Sequence, residues 1–237
     1  MSSNAHMQTR WRRRIGFFLA FFVAESAVFA IITLSPYMSF AILLPIHAAL
    51  TAVLFVPALF LRRSVWGRRY ALVCAALFVA AVAVLLSTAY SDELLQLFGL
   101  SIDTPEGMAL AKFCQSILRV VAILALMPIM GSSWRSLYLK LGRIDIWLLV
   151  GLVAWVLFPA LAFLLLPIRE GMLEKLLPLW PWILLFVLSN GLNEELLYRG
   201  VFLQKYEVFL GKGLANITAA VVFTLMHTQV SYAPEML

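Results

Sequence analysis

Charged residues are scarce in this sequence. Only 13% of its 237 residues are Asp, Glu, Lys or Arg, whereas 63% are hydrophobic, and the mean hydropathy is +0.96. A soluble domain typically has about 25% charged and about 45–50% apolar residues. The composition therefore excludes an ordinary soluble protein and predicts an integral membrane protein.

The sequence lacks the residues or motifs that several kinds of functional site require. The cysteines Cys74 and Cys114 lie in apolar segments without metal-ligand spacing, so they are expected to be packing residues. The sequence contains no Walker motif and no dinucleotide-binding fingerprint. No aspartate lies in a predicted span, which argues against an intramembrane aspartyl protease. Ser132 and Ser133 have no histidine nearby that would support a serine nucleophile.

Long apolar segments recur along the whole chain. Barrel strands need only about ten residues, so segments of this length predict an all-α, polytopic transmembrane helical bundle of about seven spans. The first segment has no small-residue cleavage site after it and is expected to be a retained helix. The predicted spans are 15–34, 38–61, 70–90, 108–130, 146–167, 179–198 and 214–230.

The basic residues predict the orientation of the bundle. Fourteen of the 18 lysines and arginines precede the first span or lie in the connections after spans two, four and six. The positive-inside rule then places the N-terminus in the cytoplasm. This distribution accounts for the net charge of +6 and leaves no basic patch that would bind nucleic acid. The alanine- and arginine-rich composition is typical of a bacterial inner (plasma) membrane.

Three regions follow from this pattern. Residues 1–14 form a basic cytoplasmic segment, residues 15–178 form a five-helix transmembrane region, and residues 179–237 carry the candidate motifs. The bilayer is thus the first expected partner of the chain.

Ionisable residues inside spans are candidates for function, because each costs about 2.5–3.5 kcal/mol to insert even on a conservative scale. Glu25 and Arg119 are expected to form a buried structural pair between the first and fourth spans. His47 is expected to be a hydrogen-bonded packing residue. The remaining members of this set lie in the last two spans or directly after the sixth: Glu194, Glu195, Arg199 and His227.

The segment Asn-Glu-Glu-Leu-Leu-Tyr-Arg places two acids and a base on one helix. Glu195 and Arg199 are spaced i, i+4 in the favourable order, whereas Glu194 and Tyr198 share a face about 100° away. Arg199 can thus neutralise one glutamate and leave Glu194 free to act as a general base on water. A purely structural ion pair near the cytoplasmic boundary is the alternative. Replacing Arg199 by leucine is expected to lower abundance by leaving buried carboxylates unpaired.

The last predicted span carries Phe223 and His227, again spaced i, i+4. Two antiparallel neighbouring helices would bring Glu194 and His227 to one cavity. Counting residues from the predicted helix ends gives a different result, with the two side chains roughly 12 Å apart in height. The pairing is the stronger expectation, because helix six is expected to begin before residue 179 or to continue past residue 199.

These two motifs resemble those of the CPBP family of CAAX-processing and bacteriocin-processing intramembrane endopeptidases, also called Abi proteins. The family motif EExxxR matches Glu194 to Arg199, and FxxxH matches Phe223 to His227. The resemblance implies that Glu194 activates water for attack on a peptide bond. It further implies that Glu195 and Arg199 hold the site together and that His227 binds the water or stabilises the oxyanion.

The resemblance leaves three matters open. The family has been discussed both as metal enzymes, for example with zinc, and as metal-independent glutamate proteases. Its third motif, a histidine followed four residues later by Asn or Asp, is not found in residues 1–237. The chain is accordingly expected to be a C-terminally incomplete protease or a non-catalytic pseudoprotease or scaffold, as in bacteriocin self-immunity. A transporter using Glu25, Arg119 and Glu194 is a third class, although no inverted repeat supports it.

Overall fold

The computed structural model describes residues 2–35, 37–137, 146, 149–153, 156–157, 174 and 177–227. Every regular element with defined bounds in these ranges is helical, which confirms the all-α class. The helices are α1 Ser2–Leu34, α2 Phe40–Phe60, α3 Arg68–Gln96, α4 Pro105–Ile129, α5 Trp180–Glu194, a π-helical segment Glu195–Leu203, α6 Gln204–Leu210 and α7 Lys212–His227.

The first four helices are long and apolar enough to cross a bilayer. Helix α3 lies between α2 and α4 and packs extensively against both. Its contact surface is rich in fully buried alanines, including Ala75, Ala76, Ala80 and Ala83. Small side chains let neighbouring helices approach closely, which is the usual basis of helix packing in a membrane. These four helices confirm an integral membrane protein.

Helix α5, the π segment and α6 follow one another without a break, and α7 folds back beside them. The reversal occurs at Gly211, whose φ of +76° is a conformation that favours glycine. The backbone N–H of Gly211 donates to the carbonyl of Glu207, which closes the helix end. The result is a helical hairpin that carries both candidate motifs, one on each arm.

Comparison with the predicted spans gives a mixed result. The second, third and fourth predicted segments match α2 to α4 to within a few residues, whereas α1 begins at Ser2, before the predicted start at residue 15. Most of the fifth, 146–167, lies outside the described residues. The sixth was predicted to end at residue 198, but the helical rod continues to Leu210. The helix thus continues past residue 199, one of the two expectations from the sequence, and Tyr206, Phe209 and Leu210, which are buried in the core, keep this segment helical.

The predicted pair between Glu25 and Arg119 is wrong. The Arg119 Nε donates to the Ser87 hydroxyl over 2.8 Å, so the guanidinium turns toward α3. Glu25 is fully buried and its carboxylate oxygens accept no hydrogen bond from the described residues, although the Tyr206 hydroxyl lies close by. Sequence distance alone did not predict that α3 would supply the partner of Arg119.

The predictions for His47 and the cysteines are confirmed. The His47 Nε2 lies 2.9 Å from the carbonyl oxygen of Ala81, and the side chain is buried between α2 and α3. Cys74 and Cys114 are free thiols, and Cys114 is fully buried.

Gly200, in the π segment, is a position where a larger residue would be strained. A Cβ atom there would lie 2.9 Å from the carbonyl oxygen of Leu137, which belongs to the short helical turn Trp134–Leu137. Replacing Gly200 by alanine is expected to destabilise the protein by about 1–3 kcal/mol, because a backbone oxygen must move. The measurement is the thermal unfolding midpoint of the protein in detergent.

Gly213 provides the matched control, because nothing lies within 4 Å of a Cβ placed there. Gly213→Ala should leave the midpoint unchanged or raise it slightly. Equal midpoints for the two variants would show that the turn does not press on Gly200.

Candidate active site

A cavity of about 420 Å³ lies between the two arms of the helical hairpin. This volume is within the range of about 300–1,000 Å³ that is usual for small-molecule sites. Three residues predicted for the site from sequence, Glu194, Glu195 and Arg199, line the cavity together with Tyr198 and Phe223. Residues from α7, including Asn216, form the opposite wall.

Glu194 and His227 meet across the hairpin. The Nε2 atom of His227 lies 3.4 Å from the Oε1 atom of Glu194; the Glu194 side chain is half-buried, whereas that of His227 is exposed. The two side chains are therefore close, as predicted, and the height difference of roughly 12 Å is wrong, but His227 is not among the described residues that line the cavity. The error came from the predicted helix ends, since the first arm runs to Leu210 and the second starts at Lys212.

The backbone sets the hydrogen position on His227. Its Nδ1 atom lies 2.7 Å from the carbonyl oxygen of Phe223, and a carbonyl can only accept a hydrogen bond, so Nδ1 carries the hydrogen. In the neutral ring, Nε2 then presents a lone pair to the carboxylate of Glu194. Two lone pairs repel unless a proton, a water or a cation lies between them. The geometry is suited to holding a proton or a water at this point.

Asn190 is a site residue that the sequence analysis missed. Its Nδ2 atom donates to the Oε1 atom of Glu194 over 2.8 Å, from one helical turn earlier in α5. The i, i+4 spacing of Asn190 and Glu194 was the available signal. This bond orients the carboxylate toward His227.

The pair of Glu195 and Arg199 forms as predicted, with an Nη1 to Oε1 distance of 2.8 Å. Its surroundings differ from the prediction. The side chains are 60% and 66% exposed, respectively, so this is not a buried pair. The local helix is also π-helical, and its i to i+5 bonding is found most often at functional sites.

Tyr198 connects the cavity to the bundle. Its ring stacks on Phe29 of α1 and meets Phe223 edge-to-face, with centroids 5.6 and 5.2 Å apart. The buried Arg119 of α4 is close enough to interact electrostatically with Tyr198 and Glu194. A cation from α4, which the sequence had paired with Glu25, therefore lies within electrostatic range of the candidate base.

The exposure of the ion pair changes the expected effect of Arg199→Leu. Exposed pairs contribute about 0–1 kcal/mol, so membrane abundance should remain close to that of the wild type. Arg119→Leu is the contrasting variant, because it removes a buried hydrogen-bonded cation and should lower abundance clearly. Immunoblots of isolated membranes measure both, and an equal loss would contradict the exposed position of Arg199.

Whether the site could bind a catalytic metal depends on the number of ligand side chains that it offers. A catalytic zinc site has three protein ligands, and Glu194 and His227 offer two. Among the described residues, no third His, Cys, Asp or Glu side chain joins them. The described residues therefore do not supply the three ligands of a catalytic zinc site.

The region that contains this site is similar to a known protein family. Residues 176–237 match the family model described as "Type II CAAX prenyl endopeptidase Rce1-like". No curated protein and no solved structure matches the chain. The matched region contains both motifs and the whole helical hairpin. This C-terminal region, about a quarter of the chain, is therefore similar to the CAAX-type intramembrane proteases of the CPBP family.

Proposed function

We propose that this protein is an intramembrane endopeptidase in which Glu194 activates the attacking water. The observation that supports this most directly is the contact between Glu194 and His227 at the edge of the cavity, with Nδ1 of the histidine held by a backbone carbonyl. A water between Oε1 and Nε2 would give a hydrogen to each acceptor or share one proton with them. It would thereby be oriented for attack.

The reaction then needs two proton movements. Glu194 takes a proton from water as the oxygen attacks the peptide carbonyl carbon, and the carbon–nitrogen bond breaks as that proton passes to the leaving nitrogen. If Nε2 takes up a second ring proton from solvent, His227 can instead donate a hydrogen bond to the negative oxygen and stabilise it. Asn190 holds the Glu194 carboxylate in position throughout, and the pair of Glu195 and Arg199 orders the π segment.

The cavity suits a peptide with an apolar attachment. Its walls combine the charged motif with Leu203, Ala219, Ala220 and Phe223, and it lies within the helical hairpin of a membrane protein. The substrate class that fits is a membrane-associated peptide, either prenylated near its C-terminus or bacteriocin-like.

A non-catalytic peptide-binding scaffold is the second candidate. Two observations favour it: the described residues place no third His, Cys, Asp or Glu beside Glu194 and His227, and the Glu195–Arg199 pair occupies one side of the cavity. A scaffold would use the same cavity to bind a peptide without cleaving it.

The test compares wild-type protein with Glu194→Gln, both reconstituted in vesicles containing a fluorescent prenylated peptide. Released fragments are measured by mass spectrometry, and bound intact peptide is measured by co-sedimentation. Release by the wild type alone, with binding by both proteins, supports the protease. Binding by both without release in either supports the scaffold and contradicts the protease.

A further inference from the structure

A second cavity, of about 400 Å³, shares no lining residue with the candidate active site. It is enclosed by the start of α3, the turn after α4 and the first residues of α6. All three of these elements lie at the end of the bundle that the basic residues predict to be cytoplasmic. Its polar lining consists of Arg69, Ser132, Ser133, Ser136, Gln204 and Lys205.

Lys205 is unusual for a lysine near a membrane surface, because it is only 6% exposed. Its ammonium group donates to the carbonyl oxygens of Ser136 and Gly200 over 2.8 and 2.9 Å. An ammonium has three hydrogens, and the described residues provide no third acceptor. One donor is thus left for a ligand in the cavity.

Two other groups in the lining complement Lys205. The Arg69 guanidinium lies over the rings of Tyr70 and Phe209, at 5.2 and 5.8 Å from their centroids, and none of these contacts uses its hydrogen-bond donors. The Ser132 hydroxyl is buried without a hydrogen-bond partner among the described residues. The described lining contains two cations and no acid, so the cavity has a net positive charge.

Burial without a counter-ion is unfavourable for Lys205. It lowers the pKa of this lysine, which lies outside the four candidate membrane-spanning helices, to about 8. A negative ligand in the cavity would favour the charged ammonium and offset the cost of burying it. A positively charged cavity at the lipid–water boundary is suited to a phosphate group, which accepts several hydrogen bonds at once.

We propose that this cavity binds a phosphate group, carried by an anionic phospholipid headgroup or present as a free anion, through Lys205, Arg69 and the Ser132 hydroxyl. The site is separate from the candidate active site and does not depend on the proposed protease activity. Since Lys205 also binds the π segment through Gly200, the bound phosphate would stabilise the arm of the hairpin that carries Glu194.

The test uses delipidated full-length protein in detergent. Native mass spectrometry measures retention of phosphatidylglycerol against phosphatidylcholine for the wild type, Arg69→Gln and Lys205→Gln. Phosphatidylglycerol retention should fall about tenfold or more in both variants, since each loses a charge-assisted hydrogen bond. Matched controls are Arg63→Gln and Lys212→Gln, which alter exposed cations outside the cavity and should retain the lipid.

A second experiment distinguishes a phospholipid headgroup from a free phosphate ion. Inorganic phosphate is titrated into lipid-free protein while the thermal unfolding midpoint is followed. A rise in the wild type that is absent in Arg69→Gln identifies a free anion, whereas lipid retention without such a rise identifies the headgroup. Arg69→Gln keeps the test informative if Lys205→Gln fails to fold, because Arg69 is exposed and its contacts with Tyr70 and Phe209 are to ring faces. Equal lipid retention and equal phosphate response in Arg69→Gln, Arg63→Gln and the wild type would overturn the proposal.

Discussion

Replacing Glu194 by glutamine is expected to reduce peptide cleavage by about 10²–10⁴-fold, the usual contribution of a general acid–base residue. Glutamine has nearly the shape of glutamate and can still accept the hydrogen bond from Asn190, so the helical hairpin should fold normally. It cannot take a proton from water at neutral pH. The measurement is the initial rate of fragment release from a prenylated peptide in vesicles, divided by the amount of folded protein.

Glu93→Gln is the control for this substitution, because it makes the same chemical change at an exposed position near the end of α3. Its rate should equal that of the wild type. If Glu194→Gln also keeps the wild-type rate, Glu194 is not the base, and the water must be activated elsewhere.

Replacing His227 by asparagine is expected to slow cleavage by about 10²–10³-fold, which is typical when one oxyanion-stabilising group is removed. The asparagine amide can still donate to the carbonyl of Phe223, but it is too short to reach Glu194. Because the two residues act on one water, the double variant Glu194→Gln/His227→Asn should be little slower than Glu194→Gln alone. Rates of all three variants test this non-additivity.

His47→Asn separates a catalytic effect from a general effect of losing a histidine. His47 is buried and bonded to the backbone of α3, so its loss should lower stability without changing the rate per folded molecule. Multiplicative losses in the Glu194 and His227 double variant would mean that the two side chains work independently, contrary to the shared water.

The features that could be predicted from the sequence are those with local signals. The length of the apolar segments predicts helices, and the i, i+4 spacing predicts the ion pair of Glu195 and Arg199. The meeting of Glu194 and His227 follows from two motifs on consecutive antiparallel helices. Each of these depends on residues close together in the chain or joined by one short turn.

The features that could not be predicted depend on long-range packing. The π segment forms where Lys205 donates to Gly200 and Ser136, and no spacing in the sequence indicates that a lysine side chain will satisfy those carbonyls. Arg119 looked like a partner for Glu25 because both are charged residues in spans. The hydrogen bond from Arg119 to Ser87 depends on the packing of α3 beside α4, which the sequence does not reveal.

Because the two arms of the hairpin meet at Gly211, the number of residues in each arm determines whether Glu194 and His227 meet. Seventeen residues lead from Glu194 to Gly211, and sixteen lead from Gly211 to His227, so each arm reaches back about 25 Å from the corner. The arm with the extra residue is the one that contains the π segment, whose wider turns take up that residue. Inserting or deleting one residue in either arm would rotate Glu194 or His227 by about 100° away from the other. Evolution can therefore change most side chains between the two motifs, but it has little freedom to change how many residues separate them.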